Sequence, residues 1–166
     1  MINKFSNRFL FLGVFFVCAA LLAIAFYLQL YKGIEPCPMC ILQRYGLVAC
    51  GLVALVAGLH NPQPRGLGPR IYGLLVVVGA VAAGGVSARQ TWLQHNPPSV
   101  STCGPGLEYM VSRFPLGDVL PRVFQGAGDC SVVDWTMFGL SLAEWGLVTF
   151  TGLALFGLYQ MFRKRR

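Results

Sequence analysis

The sequence predicts an all-α integral membrane protein, a bundle of four transmembrane helices with two loops on the outer side and one on the inner side. Three observations predict it. Only 11% of the 166 residues are charged, against roughly 25% in a soluble domain. The apolar residues, 55% of the chain at a mean hydropathy of +0.62, fall in blocks of bilayer length. The basic residues also crowd onto one side of those blocks. Too few charges remain to cover a water-soluble body. A disordered chain, which needs low hydrophobicity and high charge, is excluded by the same figures. No internal repeat or composition shift divides residues 1–166, which read as one membrane domain.

A helix rises about 1.5 Å per residue, so a hydrocarbon core of about 30 Å needs roughly 20 residues. The first block, Phe9 to Leu30, carries no charge. Lys4 and Arg8 precede it, and Ala23-Ile24-Ala25 resembles a signal peptidase site. The apolar run continues to Leu30, however, so an uncleaved span is expected. A short loop from Tyr31 to about Cys40 follows, then a second block from Ile41 to Leu59 with one charge, Arg44. The third block, Ile71 to Ala88, has no charge, and neither has the fourth, Trp145 to Phe162. Between the last two lies a long loop, residues 89–144. Connections of that length are usually functional or disordered. In it, Leu116, Val119, Leu120, Val123 and Phe124 follow i, i+3, i+4 spacing, which suits a short helix on the membrane surface. Pro121 limits such a helix to a turn or two, and a greasy loop dipping into the headgroups fits equally well.

Charge placement orients the bundle. With four spans both termini share a side. That side holds Lys4, Arg8, Arg65, Arg70, Arg163, Lys164, Arg165 and Arg166 and no acid. The other side holds all six acids, Glu35, Glu108, Asp118, Asp129, Asp134 and Glu144, with the remaining five basic residues. The positive-inside rule places the termini in the cytoplasm. The net charge of +7 is thus a topology signal, and a basic tail against an anionic inner leaflet is a better reading than nucleic-acid binding. Trp92, Trp135 and Trp145 all fall near the outer interface, where amphipathic rings prefer to sit.

Six cysteines divide by position. Cys18 and Cys50 lie inside spans and read as small hydrophobes. Cys37, Cys40, Cys103 and Cys130 all map to the outer side, two per loop, where an oxidising compartment lets disulfides persist. Cys37-Pro38-Met39-Cys40 is a C-x-x-C, a spacing shared by redox, zinc and structural sites. Cys40 opens the second span, where the helix dipole and unpaired N–H groups favour a thiolate. Arg44 is four residues on, on the same helix face, and can stabilise that thiolate or an anion beside it. Alternatively, Arg44 snorkels to the interface. Cys103 and Cys130 would close a loop worth roughly 3–4 kcal/mol if they were a plain staple. A zinc site from four thiolates is possible by count, but the oxidising side and the lack of a neighbouring His weigh against it. Two reactive pairs on one side suggest an exchange relay, in which a thiolate attacks a disulfide sulfur and the bond changes partner.

At these residues the chain resembles the DsbB family of bacterial disulfide bond formation proteins. The resemblance rests on Pro36-Cys37-Pro38-Met39-Cys40-Ile41-Leu42-Gln43-Arg44, Trp92-Leu93-Gln94, Cys103-Gly104-Pro105-Gly106-Leu107, Arg113-Phe114-Pro115 and Gly128-Asp129-Cys130, with Trp135 and Phe138-Gly139-Leu140 following. It implies redox-active pairs Cys37–Cys40 and Cys103–Cys130 and a location in the bacterial inner membrane. It also implies a DsbA-like periplasmic partner that attacks Cys103. Cys130, once released, would engage Cys37. Cys40 would face a membrane quinone, ubiquinone or menaquinone, with Arg44 beside the quinone oxygen. Gln90 stands where some relatives have a histidine near the quinone. An amide can donate a hydrogen bond but carries no charge, so Gln90 is either a weak quinone contact or a helix-end polar residue. Three other readings compete. A vitamin K epoxide reductase-like enzyme would carry its C-x-x-C near the last span, whereas here it opens the second. A membrane reductant transporter would use cysteines within spans. A scaffold with structural disulfides would use none chemically.

Overall fold

A computed structural model of the protein describes residues 2–63, 66–97, 112–113, 115, 118, 130–131, 133 and 135–163. Four long helices dominate: α1 (Ile2–Lys32), α2 (Pro38–His60), α3 (Gly68–His95) and α4 (Leu142–Phe162). Each contains a stretch long and apolar enough to cross a membrane, as expected. A two-stranded antiparallel hairpin, β1 (Thr136–Met137) and β2 (Leu140–Ser141), precedes α4.

Local sequence sets the helix ends. Cys37 caps α2 with φ −63° and ψ 161°, and Pro38 takes the first helical position, where its missing N–H costs nothing. Asn61 ends α2 in the left-handed region at φ 44°, its N–H donating to the Ala57 carbonyl. Ser141 and Glu144 form a capping box at α4: Ser141 Oγ accepts from the Glu144 N–H at 3.3 Å, and Glu144 Oε2 accepts from the Ser141 N–H at 2.7 Å. The hairpin turns at Phe138 and Gly139, both with positive φ, 55° and 82°. Trp145 Nε1 donates to the Met137 carbonyl at 3.0 Å and ties the hairpin to α4.

The helices pack as α1 on α2, α2 on α3 and α3 on α4. Small residues let the backbones approach. A Cβ at Gly73 would lie 2.8 Å from the Gly157 carbonyl oxygen, and one at Gly157 would lie 2.7 Å from that of Gly73. The core of the bundle gathers Cys18, Cys50, Val76, Ala80, Phe150 and Leu153. Cys18 and Cys50 are buried there among apolar side chains, as small hydrophobes should be. Phe16, Leu52, Val78 and Leu155 face outward, as a lipid-facing surface would require.

Two of the boundaries that differ from expectation bear on the outer end of the bundle. Helix α2 begins at Pro38, which brings Cys40 into its first turn. Helix α3 runs on past Ala88 to His95, so Arg89, Gln90 and Trp92 are helical rather than part of the long loop. The polar residues that end the charge-free block do not end the helix, because Gln90 and Leu93 still face the bundle interior. The possible surface helix over Leu116 to Phe124 falls outside the described residues, apart from Asp118, as does Cys103.

Candidate redox site at the outer end of the bundle

Cys37 and Cys40 are brought together by the cap of α2. The Cys40 backbone N–H donates to Cys37 Sγ at 3.3 Å, and the Cys37 thiol donates to Cys40 Sγ at 2.8 Å. The two sulfurs are thus held in direct contact at the head of α2, where a bond between them can form and break. Cys130, from the far end of the long connection, is buried and packs with Met39, Val86 and Leu93 against Cys37. Hydrogen bonding with Cys130, then with Cys40, then burial, hold the Cys37 thiol well above the ordinary cysteine range. Cys37 therefore has a cysteine on each side, one from its own helix turn and one from the long connection.

Gln90, buried on α3, reaches the same sulfurs. Its Nε2 donates to Cys37 Sγ at 3.3 Å and to Cys40 Sγ at 3.2 Å. Its Oε1 accepts from Gln43 Nε2 at 2.7 Å. Gln90 is thus not a solvated helix-end residue: it touches both sulfurs of the C-x-x-C.

Arg44 is half-buried, one turn below Cys40. Its guanidinium donates to Gln29 Oε1 and to the Ala25 carbonyl at 3.2 Å, and lies 5.3 Å from the centre of the Phe26 ring. These partners are all on α1, so Arg44 links α1 to α2 rather than simply snorkelling toward water. Its side chain also reaches the wall of a cavity of about 270 Å³ that opens beside Cys40. Leu21, Ile24, Leu28 and Phe150 supply apolar wall, and Trp135 and Trp145 supply flat aromatic faces. Its polar points include Arg44, Gln90 and Gln94. A concave apolar site with a few convergent polar groups is the usual form of a small-molecule site.

The structure therefore brings together Cys37, Cys40, Cys130, Arg44 and Gln90. Cys103 lies outside the described residues, so its pairing with Cys130 is not seen. Gln43 and Gln94 had not been singled out by sequence. A signal existed: Gln43 is i+3 from Cys40, and Gln90 and Gln94 are i, i+4 at the outer end of α3.

Comparison with known proteins points to one family. The family profile described as Disulfide bond formation protein DsbB matches residues 7–160. Disulfide bond formation protein B of Azoarcus sp. (strain BH72) is 58% identical over 160 residues, which is 96% of this chain and 95% of the relative. That of Aromatoleum aromaticum is 56% identical, covering 97% of this chain and 96% of the relative. That of Methylococcus capsulatus is 48% identical, covering 97% and 98%. The cysteine cluster, the four apolar helices and these matches lead to one assignment: the chain belongs to the DsbB family, membrane oxidoreductases of disulfide bond formation.

Proposed function

We propose that the protein reoxidises a DsbA-like periplasmic dithiol oxidase and passes the two electrons to a membrane quinone. The observation that carries this reading is the placement of Cys37 between Cys130 and Cys40, with the cavity lined by Cys37 and Cys40 and not by Cys130.

The exchange starts from disulfides Cys37–Cys40 and Cys103–Cys130. A DsbA thiolate attacks Cys103, a mixed disulfide forms, and Cys130 leaves as thiolate. Cys130 then attacks Cys37, to which it is adjacent, and Cys40 is expelled as thiolate. The second DsbA thiol resolves its mixed disulfide and frees Cys103. Cys103 attacks Cys130, restoring their bond and releasing Cys37 as a thiol. The sum is one new disulfide in DsbA and one dithiol at Cys37 and Cys40, with two electrons and two protons carried across.

The residues present fit a quinone headgroup. The cavity offers indole faces for stacking and the Gln90 and Arg44 donors for carbonyl oxygens, and it adjoins Cys40. A quinone bound there supplies a two-electron acceptor. Arg44 would bind and orient it from a guanidinium held in place by Gln29 and Ala25. Cys40 Sγ receives hydrogen bonds from Cys37 and Gln90, an arrangement suited to a leaving thiolate. With a headgroup in the cavity, the apolar wall from α1 and α4 would keep water from that sulfur. The family and the four apolar helices support an inner-membrane location with cytoplasmic termini and periplasmic cysteines.

The test replaces Cys40 with Ser. The variant should stay folded but fail to couple DsbA oxidation to quinone reduction. A scaffold with structural disulfides would instead lose stability and leave DsbA oxidation untouched.

A further inference from the structure

We infer that Gln43 is a positioning residue, which fixes the side-chain amide of Gln90 so that its NH2 group donates to both sulfurs of the Cys37–Cys40 pair. The inference rests on reading that pair as the site of thiol chemistry.

A carboxamide has an acceptor end and a donor end, and little besides partners decides which way it points. Gln43 Nε2 donates to the acceptor end of Gln90 at 2.7 Å, much closer than the Cys40 thiol, which lies 3.7 Å from the same oxygen. The two N–H donors of Gln90 are then directed at Cys37 Sγ and Cys40 Sγ, 3.3 and 3.2 Å away. With the Gln43 amide unmoved, turning the Gln90 amide over would set two NH2 groups against each other in the interior. Both amides are largely shielded from bulk water, with Gln43 8% exposed and Gln90 3%. The cost of a mismatched buried donor, about 1–3 kcal/mol, therefore favours one orientation.

The framework holds this chain of contacts in register. Cys40 and Gln43 sit one turn apart on α2, and Gln90 faces them from α3. Helix α4 closes over the pair at Gly146, where a Cβ would lie 2.8 Å from Gln43 Oε1 and 3.0 Å from Ser87 Oγ. A glycine there lets the α4 backbone confine the Gln43 side chain.

A neutral amide keeps its donors at every pH of interest, unlike an imidazole. The other titratable or charged groups around Cys40 are few. Cys37 adjoins it, with Cys130 on the far side of Cys37; Arg44 comes from α2, and Glu35 comes from the α1–α2 connection. Among the described residues, α1, α3 and α4 contribute no titratable group to the cavity wall.

The test is a double-variant cycle on the full-length, reduced, quinone-free protein in detergent. Iodoacetamide alkylation of Cys40 is followed against pH, with mass spectrometry separating Cys40 from Cys37 adducts. Gln90→Met should move the midpoint upward by about one pH unit. Gln43→Met should move it in the same direction by less, and should add nothing in the Gln90→Met background. An unchanged midpoint for Gln43→Met, or an equal shift in both backgrounds, would overturn the inference. If Gln43→Met does not assemble, as judged by gel filtration and circular dichroism, Gln43→Leu replaces it in the same cycle. Neither DsbA nor quinone is present, so failure of the proposed electron transfer shows separately, as no quinol formed by the unaltered protein.

Discussion

At the scale of single residues, the two cysteines of the C-x-x-C have unequal surroundings. Cys37 shares hydrogen bonds with Cys130 and Cys40, which push its thiol well above the ordinary cysteine range. Cys40 lies in the first helical turn with donors directed at its sulfur. Cys37 is thus placed to change partners, and Cys40 to leave and to face the cavity. Arg44 is the one charged residue of its apolar block and the cavity's only basic side chain among the described residues. A hydrogen bond to a charged group contributes about 1.5–3 kcal/mol. Arg44→Met should therefore raise the KM for quinone by about tenfold or more, with a smaller effect on the KM for DsbA. Steady-state rates against quinone concentration check this, and an unchanged KM would remove Arg44 from the quinone site.

At the scale of elements, the capping box and the glycine contacts set how α4 meets its neighbours. Ser141→Ala removes the cap and should cost about 1 kcal/mol. Gly157→Val places a branched side chain against the Gly73 carbonyl and should cost more than about 2 kcal/mol. Thermal unfolding in detergent measures both, and the order Gly157→Val worse than Ser141→Ala is the informative outcome. The four helices were legible in sequence because lipid demands an apolar run of fixed length, and each run was present. Their ends were less legible. Hydropathy stops at Ala88, yet α3 continues to His95, since interior packing of Gln90 and Leu93 sustains a helix that hydropathy no longer marks. The hairpin before α4 carried no usual signal: Phe138-Gly139 replaces the Asn-Gly or Asp-Gly expected at such a turn. The C-x-x-C and Arg44 could be read from spacing alone. The approach of Cys130 to Cys37 could be expected only through the family resemblance, because a contact across the long connection leaves no local pattern. Gln43 carries no signal of its own, because a glutamine at a helix end reads as an interfacial residue until its partner is known.

At the scale of the whole molecule, the proposed relay runs from the periplasmic surface into the bilayer. Its direction depends on a strong terminal acceptor. DsbA sits near −120 mV, whereas stable structural disulfides lie below about −300 mV, a gap of about 180 mV or roughly 8 kcal/mol for two electrons. Pairs oxidising enough to serve DsbA do not stay oxidised without continual removal of electrons. Quinone depletion in cells should therefore leave Cys37 and Cys40 reduced while DsbA is present. Thiol trapping that found them fully oxidised would break the relay. The most direct test of the central claim is oxidation of reduced DsbA by the purified protein, with quinone loss followed optically in the same cuvette. The account predicts one quinone reduced per DsbA disulfide formed, and no turnover with Cys40→Ser. DsbA oxidation without matching quinone loss, or with Cys40→Ser as active as the unaltered protein, would contradict it.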